Sequence, residues 1–268
     1  MSDENLKNIL EVCREIALEA GSAITAIENE PRTVAEKVDG SPVTRADMHS
    51  HKVIAEGLCR FDPDIPVISE EGEIKTVESA NCFRYWLVDP LDGTKEFIKG
   101  LPEYTVNIAL VEDSDPVLGV IYVPAAKVIY WASRGGGTFR RADKGEAERL
   151  HVRRESDRLT AVVSRSHSSA ETRHWLVRNG VRKTIPSGSS LKMCLVAEGV
   201  ADVYPRLGPT WYWDTGVGTI IARESGCCVT DLDGIPLSYS PRAILKHQGF
   251  VVYSPFSCKP DVQTRGRY

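Results

Sequence analysis

The chain has 268 residues, 42% of them hydrophobic and 26% charged, the balance of a globular protein long enough to bury a sizeable core. A formal charge of −4 gives no bulk positive field for a polymeric nucleic acid, and no window approaches the roughly 18 to 20 consecutive apolar residues that a membrane span needs. Seven cysteines, at 13, 59, 82, 194, 227, 228 and 258, contain no C-x-x-C pair and read as reduced, mostly buried apolar residues.

The start, Met1-Ser2-Asp3-Glu4, is acidic where a secretory leader is basic and then apolar, so the chain is expected in the cytoplasm. Apolar residues from Leu6 to Ile27 recur at three- and four-residue steps, which predicts an amphipathic helix over 6–27. Residues 31–42 hold two prolines and several charges without a period and read as a polar loop, and Thr44 then opens a second helix through Leu58. Short β-prone runs at 66–69 and 85–88 each end in acidic residues. Runs at 105–111, 116–123 and 128–132 are spaced as an antiparallel meander, with a tight turn at 134–138.

Beyond about residue 150 the pattern alternates: strands at 159–164, 181–185, 201–204 and 227–231, with helices at 171–178, 190–198 and 214–224 between them. Residues 258–268 are polar enough for a loose tail. The expected organisation is an α+β half over 1–154 and an α/β half over 155–268, packed as one body.

The sharpest motif is Asp89-Pro90-Leu91-Asp92-Gly93-Thr94, placed after a predicted strand. Proline fixes a turn and glycine permits a sharp bend, so Asp89 and Asp92 can converge at the strand end, although the same residues also make ordinary acidic turns. Ser69-Glu70-Glu71-Gly72 ends the preceding strand in the same way. If the two strands are neighbours, Glu70 joins the aspartates in an oxygen-only cluster, which suits a hard cation such as magnesium better than zinc or iron. Asp214, in Trp213-Asp214-Thr215-Gly216, is most simply a helix N-cap, and Thr44-Arg45-Ala46-Asp47 fits a capping box.

Taken together and in this order, Val43 to Asp47, Ser69-Glu70-Glu71, Asp89 to Thr94 and Trp213-Asp214 resemble the lithium-sensitive, magnesium-dependent phosphomonoesterases of the inositol monophosphatase superfamily. Lys95-Glu96-Phe97 after the Asp-Gly-Thr, Ser164 to His167, Gly188 to Lys192 and Tyr204 to Pro209 are similar to its bacterial 3′(2′),5′-bisphosphate nucleotidase branch. That resemblance implies a layered αβαβα sandwich of the inositol monophosphatase and fructose-1,6-bisphosphatase type. It implies two or three Mg2+ ions held by Glu70, Asp89, Asp92, Asp214 and the carbonyl of Leu91. Asp47, Thr94 and Glu70 would serve catalysis, with Thr94 and Asp47 orienting and deprotonating a water. Asp92, Gly93, Thr94, His167, Ser189, Lys192, Arg206 and Asp214 would contact substrate.

The activity so implied is removal of the 3′-phosphate of adenosine 3′,5′-bisphosphate to give AMP and phosphate, extending to the 3′-phosphorylated sulfate donor, in sulfate assimilation and nucleotide recycling. The alternatives are an inositol monophosphatase or sugar bisphosphatase with the same metal chemistry and, further off, a phosphometabolite-binding protein without turnover. The expected partner is a small phosphorylated nucleotide, and the expected state a monomer or homodimer, cytoplasmic or peripheral to the inner membrane.

Overall fold

The computed structural model describes residues 3–28, 34–37, 40–72, 83–153, 158–165, 169–241, 245–257 and 260. The N-terminal apolar stripe forms α1 (Asp3–Ala26), and Thr44 caps α2 (Arg45–Phe61) through the capping box expected with Asp47. Between them, where a loop was predicted, β1 (Val34–Glu36) and β2 (Pro42–Thr44) pair as a hairpin. Its strands are three residues long and β1 is exposed throughout, so no buried alternation marks it in the sequence.

A seven-stranded sheet follows in chain order: β3 (Val67–Ser69), β4 (Arg84–Asp92), β5 (Thr105–Glu112), β6 (Asp115–Val123), β7 (Val128–Ser133), β8 (Gly137–Ala142) and β9 (Glu148–Leu150). Only β3 and β4 pair in parallel, and the remainder form the expected meander, extended by β8 and β9. Both faces are buried, and the side-chain period of two separates them. Trp86, Val88, Ile108, Leu110, Val120 and Trp131 pack on α1 and α2. Tyr85, Leu87, Ala109, Ile121 and Tyr130 face the opposite way, onto Val217 and Ile220 of α6 (Tyr212–Ser225).

The second sheet takes the strand order β11-β10-β12-β16-β14, from β10 (Thr160–Ser164), β11 (Lys183–Ser187), β12 (Val203–Arg206), β14 (Cys228–Thr230) and β16 (Phe250–Tyr253). The helices α4 (Ala170–Arg178) and α5 (Leu191–Ala197) take opposite faces of it. Trp175 and Leu176 of α4 cover Ala161, Val203 and Val251, while α5 joins α6 between the two sheets. The layers are therefore α1/α2, large sheet, α5/α6, small sheet and α4, the αβαβα sandwich expected. β16 was missed because four apolar residues carry little period, and the two-residue pair β13 (Thr210–Trp211) and β15 (Lys246–His247) carries none.

One local expectation needs correction. The helix containing Asp214 starts at Tyr212, so Asp214 is its third residue and not its N-cap, with its Oδ2 accepting the Trp211 N–H at 3.2 Å. Cys13, Cys194 and Cys227 are buried free thiols as expected, but Cys59 is exposed and Cys228 half-buried. Of the predicted tail, all but residue 260 lies outside the described residues.

Candidate active site

β4 does not stop at Val88 but runs through the Asp-Pro-Leu-Asp motif to Asp92. Asp89 pairs with Asn107 and Asp92 with Thr105, so three steps on β4 face two on β5, which is a β-bulge. The bulge has a chemical consequence. Residues three apart on a regular strand point to opposite faces, and one extra residue restores their parity, which brings both aspartates to the same edge. Glu70 reaches that edge from the neighbouring parallel strand, its N–H bonded to the Val88 carbonyl at 3.1 Å.

Carboxylate oxygens of Glu70, Asp89 and Asp214 lie within 4.8 Å of one another. Asp89 is fully buried, and burial followed by the charges of Glu70, Asp92 and Asp214 pushes its carboxyl well above the usual range. Asp214 is raised in the same sense, by removal from bulk water first and then by Asp92 and Glu70. Burial also raises Glu70, although Lys37 opposes the shift with an Nζ that donates to Glu70 Oε1 at 2.9 Å and also to Glu71. Crowded carboxyls of this kind lower their mutual repulsion by taking up protons or a cation. The donor set is oxygen alone, so the residues fit a hard divalent cation.

Asp92 is anchored from outside the cluster. The Ser190 hydroxyl lies 2.6 Å from Asp92 Oδ2 and 2.9 Å from the Asp214 carbonyl, and it accepts the Asn107 amide at 2.9 Å. Ser190 was read as a helix start, and it does precede α5, but its side chain makes no cap bond and is spent on Asp92. Asn107 and Lys37 went unremarked in the sequence because their partners lie 15 or more residues away and neither sits in a recognisable turn.

Asp47 and Thr94 meet across 47 positions of chain, with the Thr94 hydroxyl donating to Asp47 Oδ1 at 2.9 Å. Asp47 Oδ2 is occupied by the N–H and the hydroxyl of Thr44, so the capping box fixes the carboxylate that receives Thr94. The Leu91 carbonyl lies 3.3 Å from the same Thr94 hydroxyl. Gly93, at φ +96°, caps the short helix α3 (Thr94–Ile98), and a Cβ there would lie 2.9 Å from the Glu103 carbonyl, so this turn requires glycine.

A cavity of about 210 Å³ opens beside these groups, and its wall includes Glu70, Asp92, Gly93, Thr94, Ser189, Lys192, Arg206 and Asp214. Asp47, Asp89 and Leu91 lie behind the wall rather than in it. Lys192 is buried with its Nζ on the Ser189 carbonyl, and burial lowers its pKa while Asp92 and Glu96 favour its charge. The Arg206 guanidinium is steadied by Thr210 Oγ1 at 3.0 Å and the Pro209 carbonyl at 3.2 Å. His167 lies outside the described residues.

The sequence profile described as the Inositol monophosphatase family matches residues 5–255. The chain belongs to the inositol monophosphatase family. Within it, the chain is 47% identical over 246 residues to the 3′(2′),5′-bisphosphate nucleotidase CysQ of Salmonella typhimurium, covering 91% of this chain and 99% of that one. The CysQ of Escherichia coli K12 is 46% identical over 244 residues, 90% of this chain and 98% of that one. A crystal structure of CysQ from Bacteroides thetaiotaomicron, described as a bacterial member of the same family, superposes with a TM-score of 0.79 at 39% identity over 92% of this chain and 97% of that one. The family is metal-dependent, in keeping with the acidic cluster here.

Proposed function

We propose that the chain is a magnesium-dependent phosphomonoesterase that removes the 3′-phosphate of adenosine 3′,5′-bisphosphate. The observation that carries this reading is the gathering of Glu70, Asp89 and Asp214 beside the Thr94–Asp47 pair, at a cavity that is also lined by Lys192 and Arg206. The nucleotidases named above, similar along nearly their whole length, support the choice of substrate.

Glu70, Asp89, Asp92, Asp214 and the Leu91 carbonyl would hold the ions, two or three in number. When bound, magnesium neutralises phosphate oxygens, acidifies water and stabilises the leaving alkoxide. The protein supplies proton handling and orientation. Because Thr94 donates its proton to Asp47 Oδ1, its oxygen is left to accept a hydrogen bond from a water in the cavity. As that water attacks phosphorus, its proton passes to Thr94 Oγ and the threonine proton to Asp47. The P–O bond to the 3′-oxygen breaks, that oxygen takes a proton from solvent water and Asp47 returns its proton to solvent, so a water and a monoester become an alcohol and inorganic phosphate.

In the same cavity, Lys192 and Arg206 match the charge of the 5′-phosphate, and Ser189, with His167, completes the nucleoside contacts in this reading. No described helix is long and apolar enough to cross a membrane; the enzyme so described works in the cytoplasm. Phosphate release from adenosine 3′,5′-bisphosphate, inositol monophosphate and fructose bisphosphate, with and without magnesium, tests the proposal. The expected result is magnesium-dependent release with the highest kcat/KM for the nucleotide, and preference for inositol phosphate would overturn the substrate assignment.

A further inference from the structure

Ser189, Lys192 and Arg206, assigned to the nucleoside and its 5′-phosphate, lie in the second half of the chain, whereas the residues assigned to the metals lie in the first half apart from Asp214, and an ion pair beside the cavity bridges the two halves. Glu103, between α3 and β5, and Arg165, at the end of β10, meet in a two-pronged contact: Nε to Oε2 at 2.8 Å and Nη2 to Oε1 at 2.6 Å. Glu103 Oε2 also accepts the Gly188 N–H at 2.8 Å. Arg165 is fastened to the same segment, its backbone N–H on the Ser187 carbonyl at 3.1 Å and its Nη2 on the Pro186 carbonyl at 3.2 Å. One carboxylate thus holds three donors from the second half.

The fit around Gly188 leaves no slack, because a Cβ there would lie 2.8 Å from the Glu103 carbonyl and 3.0 Å from Glu103 Cβ. Ser189 follows with φ +45°, a left-handed conformation that a non-glycine residue keeps only under restraint. The Ser189 carbonyl in turn receives Lys192 Nζ. A chain of contacts therefore runs from Glu103 through Gly188 and Ser189 to the buried ammonium in the cavity wall.

Ordinary exposed ion pairs contribute little, and the Arg165 side chain is 38% exposed. The difference here lies in bidentate geometry and a shared backbone donor, which fix orientation as well as distance.

We infer that Glu103 and Arg165 act as positioning residues for the nucleotide, setting Ser189 and Lys192 against the metal-bearing edge and so governing substrate affinity rather than bond cleavage. This inference rests on the reading of Ser189 and Lys192 given under the proposed function. Kinetics of the magnesium-loaded enzyme on adenosine 3′,5′-bisphosphate and on p-nitrophenyl phosphate, together with calorimetric binding of AMP, test it.

Glu103→Ala raises KM for the nucleotide and Kd for AMP by about tenfold while kcat stays within threefold and kcat/KM for p-nitrophenyl phosphate is unchanged. Glu103→Gln, which keeps side-chain size and an acceptor for Gly188, gives a smaller rise in the same direction and serves if the alanine variant misfolds. Arg165→Ala shifts the same constants, and adding it to Glu103→Ala gives less than the product of the two effects. A wild type that hydrolyses the nucleotide while both Glu103 variants keep KM and Kd within twofold overturns the clamp alone. Parallel loss of kcat on both substrates overturns it as well. A wild type that neither hydrolyses the nucleotide nor binds AMP overturns the functional reading, and the clamp with it.

Discussion

At the scale of single residues, the Thr94 hydroxyl donates to Asp47, a carboxylate that is itself immobilised by the cap of α2. Removing the hydroxyl removes proton transfer and leaves the fold intact. Thr94→Ala therefore lowers kcat by roughly 10²-fold or more, with Tm nearly unchanged and Thr94→Ser restoring most of the rate. Asp92→Asn gives a comparable loss of turnover with little loss of folding, read by phosphate release beside circular dichroism. An unchanged rate in Asp92→Asn would count against its role as a ligand.

A titration of the folded chain belongs to His247, packed between Tyr212 and Tyr239 with an Nε2 that finds no partner among the described residues. Burial lowers its pKa from 6.5 to about 4, against a smaller opposing pull from Asp231. The unfolded chain binds this proton below pH 6.5 and the folded chain only below about 4, so its contribution is full at neutral pH and falls as pH drops through that window. The loss reaches about 3 kcal/mol. Denaturant unfolding at pH 7 and pH 4.5 should show a larger acid loss in the wild type than in His247→Phe, and equal losses would refute the assignment.

Glu70, Asp89 and Asp92 were legible in the sequence because each stands beside Pro, Gly or a strand end, whereas Asp47 and Asp214 read as helix caps and took their site roles only from the family resemblance. Lys37, Asn107 and Ser190 were not legible, since nothing in their neighbours announces a partner brought in by tertiary structure. Glu103 and Arg165 were silent for the same reason, being 62 residues apart.

Among the elements, β4 and α6 decide whether the site exists. The bulge on β4 turns Asp89 and Asp92 to one edge, and α6 carries Asp214 to meet them. α6 lies on the large sheet at Gly119, where a Cβ would be 2.8 Å from Val217 Cγ2 and 3.0 Å from Ile220 Cγ2. Gly119→Ala forces the helix away from β6 and destabilises the protein by about 1–3 kcal/mol, read as a lower thermal midpoint. An unchanged midpoint would show that the close seat of α6 is dispensable. The long helices and the meander were readable from their periods, as was the alternation of the second half. The β1–β2 hairpin, β13, β15 and β16 were not, being two to four residues long.

Over the whole molecule, the division near residue 154 separates two sheets but not two cores. Leu87, Ile121 and Tyr130 from the first half share one apolar cluster with Val162, Val217 and Ile220 from the second. We accordingly propose that residues 1–154 and 155–268 unfold together. A single calorimetric transition with matching van't Hoff and calorimetric enthalpies is expected, and two resolved transitions would separate the halves. The order of layers followed from the sequence patterns only through the family resemblance, because strand periods do not say which helix lies between two sheets.

The assembly of this fold serves one juxtaposition, that of Glu70, Asp89 and Asp214 with Asp92 alongside. Calorimetric titration of Mg2+ into the wild type and Asp89→Asn, in two buffers of different ionisation enthalpy, tests it most directly. Because burial and mutual repulsion raise these carboxyls, binding should release protons, more of them as pH is lowered, and should weaken at least about tenfold in Asp89→Asn. Binding of equal strength in both proteins, or none in the wild type, would contradict a shared cation site.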